Sequence, residues 1–284
     1  MAEIRLARQA GFCFGVQRAL RLTEEALKGG DGPLYVLGAL IHNPQVVSDL
    51  EARGLEVISS LAEIESGRVI VRSHGVSPTV YRDAQEKGLE LVDATCPLVK
   101  RAQEAAALLK RERYSVILIG EEGHPEVQGI KAYAGENVLV IQDIDALIHR
   151  KMGGKVGVVI QTTQPVETFQ QAAQILLGQA KGELRIFNTL CPFTVSRQKE
   201  AEKLAGWAEL ILVVGGRNSA NTTRLVELCA CHQPATFQVE TAEDIRGEWL
   251  KGKEKIGITA GASTPPWIIK EVERKVQGFL DFVF

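Results

Sequence analysis

Residues 89–99 read Leu-Glu-Leu-Val-Asp-Ala-Thr-Cys-Pro-Leu-Val, which predicts a short apolar strand, a turn, a cysteine and the start of a helix. Pro97 directly follows Cys96, and proline is favoured at the first position of a helix, so Cys96 is expected at or near the N-cap. The N-terminus of a helix carries the positive end of the helix dipole and favours a thiolate, the form of cysteine that binds metals. This junction therefore presents a candidate metal ligand.

The same order of elements occurs three times along the chain. Ile4–Ala7 leads to Cys13, and Leu184–Phe187 leads to Cys191, which is also followed by a proline. The cysteines are 83 and 95 residues apart, close to a third of the chain in each case. We therefore predict three similar αβα units, which comprise residues 1–95, 96–190 and 191–284.

Short runs rich in valine, isoleucine and leucine alternate with helical patterns, as is typical of α/β proteins with parallel sheets. Besides the strands of the repeat, the predicted strands are Leu34–Leu40, Arg68–Arg72, Ser115–Gly120, Val138–Ile141, Val156–Ile160, Leu210–Val214, Thr236–Val239 and Lys255–Thr259. No linker rich in proline, glycine or serine interrupts the alternation. We expect the units to be compact and tightly joined.

The composition indicates a globular protein and argues against the binding of polyanions. The 284 residues are 45% hydrophobic, and 33 basic against 35 acidic residues give a formal net charge of -2. Such a chain has no overall positive field to attract a nucleic acid or an anionic membrane. The N-terminus lacks a signal-peptide pattern, and no apolar run approaches the roughly 18 residues of a membrane span. We expect a cytoplasmic protein that binds neither nucleic acid nor membrane.

The five cysteines are too few for a disulfide scaffold, and their odd number favours free thiols or metal ligands. If the units close around a pseudo-threefold axis, Cys13, Cys96 and Cys191 converge on a three-thiolate site. A zinc ion suits such a site, as does a [4Fe–4S] cluster that leaves one iron open to substrate. The alternative is that these cysteines are buried as small hydrophobic residues. Cys229 and Cys231 have no matching pair elsewhere and are assigned to packing at a helix end.

Polar loops that follow strands predict a ligand pocket. His42, His74 and His124 each lie just after a strand, where the loops of an α/β sheet form its binding crevice. The loops Gln161–Thr163, Gly215–Thr222 and Thr259–Pro265 add hydroxyl and amide groups, which together with helix N-termini can bind phosphate. The same residue types also serve as ordinary helix caps. No Walker A or complete GxGxxG motif occurs, so a nucleotide site is not predicted.

Seven short motifs follow one another along the chain. They are Gly11-Phe12-Cys13-Phe14-Gly15-Val16, His42-Asn43-Pro44, Ser73-His74-Gly75-Val76, Asp93-Ala94-Thr95-Cys96-Pro97-Leu98-Val99, Gly123-His124-Pro125-Glu126, Gln161-Thr162-Thr163 and Thr259-Ala260-Gly261-Ala262-Ser263. Taken together and in order, these motifs closely resemble those of the 4-hydroxy-3-methylbut-2-enyl diphosphate reductase (LytB) family. The resemblance covers essentially the whole chain.

The resemblance implies a fold and a set of site residues. The fold would be a pseudo-threefold trefoil of three αβα units around one [4Fe–4S] cluster per chain, held by Cys13, Cys96 and Cys191. Glu126 and Thr162 would serve the terminal hydroxyl of the substrate at the open iron, with Glu126 as the proton source. The residues implied for the diphosphate are His42, His74, His124, Ser219, Asn221 and Ser263.

The implied reaction is the reductive dehydroxylation of (E)-4-hydroxy-3-methylbut-2-enyl diphosphate to isopentenyl and dimethylallyl diphosphates, the last step of the methylerythritol phosphate pathway. Reduced ferredoxin or flavodoxin would supply the electrons. One alternative is a dehydratase similar to quinolinate synthase, which the order of the motifs disfavours. The other is a non-catalytic iron–sulfur redox sensor, which would not need the polar loops.

The chain departs from the family pattern at two positions. Ala220 follows Ser219 where the family usually has a second serine, which removes one expected hydroxyl contact to the diphosphate. Phe193 stands two residues after Cys191 where the family usually has alanine, which affects local packing rather than ligation. Neither departure removes a predicted ligand.

Overall fold

The computed structural model describes residues 2–30, 32–148, 150 and 153–283, in which twelve strands form three parallel sheets of four strands each. The strands are β1 (Glu3–Leu6), β2 (Leu34–Leu37), β3 (Leu55–Ile58), β4 (Arg68–Val71), β5 (Glu90–Asp93), β6 (Ser115–Ile119), β7 (Val138–Ile141), β8 (Lys155–Ile160), β9 (Glu183–Ile186), β10 (Leu210–Val214), β11 (Thr236–Val239) and β12 (Lys255–Ala260). The α-helices are α1 (Phe14–Lys28), α2 (Pro44–Ala52), α3 (Pro78–Glu86), α4 (Pro97–Arg111), α5 (Pro125–Ala134), α6 (Val166–Gln179), α7 (Pro192–Trp207), α8 (Ala220–His232), α9 (Gly247–Leu250) and α10 (Pro266–Val283). The predicted α/β class with parallel sheets is confirmed. Among the described helices, none combines the length and the apolar composition that crossing a membrane requires.

All three sheets have the same strand order. The orders are β3-β2-β4-β5, β7-β6-β8-β9 and β11-β10-β12-β1. In the first two sheets, the first strand along the chain lies between the second and the third, and the fourth strand lies at the edge. In the third sheet, β10, β11 and β12 take the places of the first three strands, and β1 takes the place of the fourth. The third sheet obtains its fourth strand from the start of the chain, because β1 pairs with β12 in parallel.

The register of the third and fourth strands is also the same in every sheet. The first residue of the third strand is basic and pairs with a glutamate of the fourth strand: Arg68 with Glu90, Lys155 with Glu183, and Lys255 with Glu3. Each fourth strand then leads to one of the three predicted cysteine ligands. The repeat recognised in the sequence is therefore a repeat of strand order and register as well.

The described chain divides into two compact units. Met1–Gln17, Ile41–Asp49 and Pro192–Phe284 make up one unit, which contains the sheet of β1 and β10–β12. Arg18–Leu40 and Leu50–Cys191 make up the other, which contains the two remaining sheets. The three segments divided after residues 95 and 190 stay a prediction.

Strand β3 was missed by the sequence analysis. Its four residues, Leu-Glu-Val-Ile, lie at a sheet edge, and the two central side chains are exposed. Because only two apolar side chains of this strand are buried, it lacks the continuous apolar run that marks a fully buried strand.

Glycines in two of the third strands allow the helices that follow the cysteines to pack closely. A Cβ atom on Gly157 would lie 2.4 Å from Cδ2 of Leu109 in α4. On Gly257, a Cβ atom would lie 2.4 Å from Cδ1 of Ile211 and 2.9 Å from Cγ of Leu204 in α7. These are the helices that begin directly after Cys96 and Cys191.

We predict that Gly157→Ala lowers the free energy of unfolding by about 1–3 kcal/mol, the usual cost of overpacking a core. Urea denaturation of the variant measures this loss. Gly178→Ala in α6 is the matched control, since no atom lies within 4 Å of its Cβ position and alanine is favoured over glycine in a helix. Equal urea midpoints for the two variants would contradict this account of the packing.

Candidate active site

Three cysteines lie at equivalent β–α junctions. Each follows the fourth strand of a sheet and directly precedes a helix, with Cys96 as the N-cap residue of α4. The backbone N–H of each cysteine donates a hydrogen bond to a carbonyl in the neighbouring loop. The acceptor residue lies two positions after the end of the third strand of the same sheet. The pairs are Cys13 with Ala262 at 3.0 Å, Cys96 with Ser73 at 3.0 Å, and Cys191 with Thr162 at 2.9 Å.

The environment of these cysteines differs from that of the other two. Cys13, Cys96 and Cys191 form no disulfide and are half-buried. Cys229 is buried in α8, which raises the pKa of its thiol to about 12, and Cys231 is exposed. A thiol that stays protonated is a poor metal ligand. The donor set therefore fits a metal group held by three thiolates.

Glu126 is the only buried acidic side chain among the described residues, with 2% of its surface exposed. The backbone N–H of Thr162 donates to Oε1 at 2.7 Å, and the Thr162 hydroxyl donates to Oε2 at 2.9 Å. Burial raises the pKa of Glu126 to about 7, although both hydrogen bonds from Thr162 act to lower it. The carboxyl can therefore exchange a proton near neutral pH, as a general acid requires.

Two predicted histidines lie in the same unit as this pair. His124 is the N-cap of α5, and its Nδ1 accepts a hydrogen bond from the backbone N–H of Glu126 at 3.1 Å. This bond assigns the proton of the neutral ring to Nε2. The ring of His74 meets that of His124 edge to face, with 5.6 Å between the centroids. His74, His124, Glu126 and Thr162 are thus linked by direct contacts.

The other unit holds four predicted diphosphate residues. The Ser263 hydroxyl donates to the carbonyl of His42 at 3.1 Å. Ser219 is the N-cap of α8, and Ala220 is the first residue of that helix. Asn221 is 9% exposed, and neither Oδ1 nor Nδ2 has a hydrogen-bond partner among the residues that the structure describes. A buried amide without partners is costly, so the two polar atoms of Asn221 are free to bind a further group.

Arg197 is a buried arginine in α7 that none of the sequence motifs predicts as a site residue. Only 4% of its surface is exposed, and it donates hydrogen bonds to the carbonyls of Gly11 and Ala260. The bond to Gly11 spans 186 positions of the chain. In the sequence, Arg197 lies on a helix that carries several other charged residues. Such a pattern is typical of a helix surface that faces solvent, so it does not predict a buried arginine.

The model of the LytB protein family matches residues 4–277 of the chain. The 4-hydroxy-3-methylbut-2-enyl diphosphate reductase of Syntrophotalea carbinolica is 50% identical over 275 residues, which cover 96% of this chain and 98% of that protein. The reductase of the same name from Geobacter sulfurreducens is 47% identical over 277 residues, which cover 98% of each protein.

Solved structures show the same similarity. A structure of (E)-4-hydroxy-3-methyl-but-2-enyl diphosphate reductase, described as the terminal enzyme of the non-mevalonate pathway, is 41% identical with a TM-score of 0.70 and covers 98% of this chain and 100% of its own. The E-1-hydroxy-2-methyl-but-2-enyl-4-diphosphate reductase of Plasmodium falciparum is 28% identical with a TM-score of 0.86 and covers 99% of this chain and 87% of its own. Since the family model and the relatives extend over nearly the full length, the chain belongs to the LytB family.

Proposed function

We propose that the chain removes the hydroxyl of (E)-4-hydroxy-3-methylbut-2-enyl diphosphate by reduction, with Glu126 as the proton donor. Family membership and full-length similarity to named reductases make this chain a 4-hydroxy-3-methylbut-2-enyl diphosphate reductase of the non-mevalonate pathway. The role of Glu126 is supported by one observation above all: this buried carboxyl has a pKa of about 7 and is bound through both oxygens to Thr162.

LytB-family proteins are iron–sulfur enzymes, and the donor set of this chain suits such a group. Three half-buried cysteines at equivalent junctions, none of them in a disulfide, would leave one position of a four-iron cluster without a protein ligand. A [4Fe–4S] cluster on Cys13, Cys96 and Cys191 would supply electrons one at a time and an iron that can act as a Lewis acid. We assign one cluster to each chain and reduced ferredoxin or flavodoxin as the electron donor.

The overall reaction consumes two electrons and two protons, breaks the bond between carbon and the hydroxyl oxygen, and releases water. One proton goes to the leaving oxygen and the other to the allylic carbon skeleton, which gives isopentenyl or dimethylallyl diphosphate. Glu126 can deliver the first of these protons, because near pH 7 a large fraction of its carboxyl is protonated.

Thr162 positions the acid. Its backbone N–H and its hydroxyl bind the two carboxyl oxygens of Glu126, and this pair of bonds fixes the direction in which the carboxyl points. Thr162 is 4% exposed, so bulk water is largely excluded from the pair. A fixed, dry acid transfers its proton to a bound substrate without first reorganising solvent.

We assign the diphosphate to side chains in strand-end loops and to the positive N-terminus of α8. Asn221 supports this assignment most directly, because both polar atoms of its buried amide are available to a ligand. The backbone N–H groups at the start of α8 favour a negative charge nearby. The full set is His42, His74, His124, Ser219, Asn221 and Ser263.

We predict that Asn221→Ala weakens substrate binding about tenfold to a hundredfold, since a hydrogen bond to a charged group contributes roughly 1.5–3 kcal/mol. Titration with the diphosphate substrate measures the affinity, and the visible spectrum of the holoenzyme should stay unchanged. Asn137→Ala, an exposed site near the start of β7, is the control. Wild-type affinity in Asn221→Ala would place the diphosphate elsewhere.

We predict that Glu126→Gln lowers kcat at least roughly a hundredfold, the lower end of what general acid catalysis contributes. The amide can donate a hydrogen bond but cannot transfer a proton. Anaerobic donor oxidation at saturating substrate measures kcat, and the cluster spectrum and thermal midpoint are recorded on the same sample. Glu122→Gln, an exposed position in the loop before α5, is the control and should leave kcat unchanged. A Glu126→Gln protein with normal turnover would remove Glu126 from the mechanism.

The raised pKa of Glu126 also predicts a pH dependence. Below pH 7 the carboxyl is protonated and can act as an acid, so kcat should fall as the pH rises through about 7. The hydroxyl of Thr162 lowers the pKa of Glu126 by donating to the carboxylate. In Thr162→Val, this fall should move to higher pH, whereas Thr162→Ser should retain the wild-type position. A shift to lower pH in Thr162→Val would contradict the proposed pairing.

A further inference from the structure

Arg197 is a buried guanidinium near Cys13 that the proposed mechanism does not use. Its Nη1 donates to the carbonyl of Ala260 at 3.1 Å, and its Nη2 donates to the carbonyl of Gly11 at 2.8 Å. Gly11 lies two residues before Cys13. Ala260 ends β12, two residues before the carbonyl of Ala262 that accepts the Cys13 N–H. A single side chain thus binds both segments that hold Cys13.

The backbone at Gly11 is itself constrained. Its φ angle of +101° is one that side-chain-bearing residues rarely adopt, and a Cβ atom there would lie 3.2 Å from Cδ1 of Ile269. The bond from Arg197 fixes the carbonyl of this turn in one direction. Arginine suits the task, because its planar fork can donate to two carbonyls at once, whereas a lysine ammonium is a point charge on a flexible stem.

Arginines occur at similar positions in the helices that follow the other two cysteines. Arg18 in α1, five residues after Cys13, donates to the carbonyls of Thr95 at 3.1 Å and Asp93 at 3.3 Å, just before Cys96. Arg101 in α4, five residues after Cys96, donates to the carbonyl of Asn188 at 3.5 Å, three residues before Cys191. Arg197 follows Cys191 by six residues. In each case, an arginine from the helix after one cysteine binds the loop before another.

We propose that Arg197 is a positioning residue that holds Cys13 in the orientation needed for ligation, and that Arg18 and Arg101 do the same for Cys96 and Cys191. This inference rests on the proposed ligand set. It predicts a local effect. Replacement of one arginine should make the cysteine whose loop it binds react faster with a thiol reagent, and the reaction rates of distant thiols should stay unchanged.

The test compares Arg197→Lys with wild type and with Arg274→Lys, an exposed position in α10. Each holoenzyme is mixed anaerobically with an iron chelator and iodoacetamide, and the alkylation of every cysteine is followed by peptide mass spectrometry. In Arg197→Lys we expect Cys13 to be alkylated about tenfold faster, which corresponds to ~1.4 kcal/mol. The exposed Cys231 should react at the wild-type rate in all three proteins. The visible absorbance of the cluster should also decay faster in Arg197→Lys alone.

A Cys13→Ser variant separates the two proposals. If it keeps the full cluster absorbance, Cys13 is not a ligand and the ligand set itself is wrong. If it loses that absorbance while Arg197→Lys matches Arg274→Lys, the ligand set stands and the positioning role is wrong. Equal acceleration at all five cysteines in Arg197→Lys would mean general loosening of the fold and would also contradict the proposal.

Arg101→Lys provides an independent arm in case Arg197→Lys does not fold, because Arg101 makes an exposed hydrogen bond. Faster alkylation of Cys191, with Cys231 unchanged, would support the positioning role. Unchanged alkylation of Cys191 would contradict it.

Discussion

The backbone hydrogen bond from each cysteine to the neighbouring loop is the constraint on which the proposed site depends. In the sheet of β4 and β5, Ala94 N–H donates to the carbonyl of Val71 and Cys96 N–H donates to that of Ser73, so the parallel pairing continues past the strand ends. Equivalent bonds join Cys191 to Thr162 and Cys13 to Ala262. The acceptor is itself a predicted site residue or directly precedes one, as Ser73 precedes His74 and Ala262 precedes Ser263. One hydrogen bond in each sheet thus ties a candidate metal ligand to a candidate substrate contact.

Thr162 shows how closely these roles are combined. Its carbonyl accepts the N–H of Cys191, while its own N–H and hydroxyl both donate to Glu126. Every polar group of this residue is therefore committed. The two bonds to Glu126 stabilise the carboxylate, but the loss of solvation on burial outweighs them, and the pKa rises to about 7. The opposing effects leave a buried acid that is neither permanently charged nor permanently neutral at physiological pH.

Close packing behind the junctions makes this geometry rigid. Because Gly157 and Gly257 have no side chains, α4 and α7 can pack directly against their sheets. Arg197 then donates to the carbonyls of Gly11 and Ala260, one in each segment that holds Cys13. A helix fixed along its length holds the cysteine at its start in a fixed place, which a three-ligand metal site requires.

The sequence by itself determined the α/β class, the three strand–cysteine–helix junctions and most of the strands. Val138–Ile141, Leu210–Val214 and Thr236–Val239 were predicted to the residue, because short apolar runs bounded by polar residues encode strands locally. The family motifs supplied the candidate site residues. Only the tertiary structure decided that β1 completes the sheet of β12, that Glu126 has a raised pKa and that Arg197 lies beside the Cys13 loop. Burial, strand pairing and hydrogen bonds between residues 36 to 252 positions apart create these features, and local sequence periodicity carries no information about such contacts.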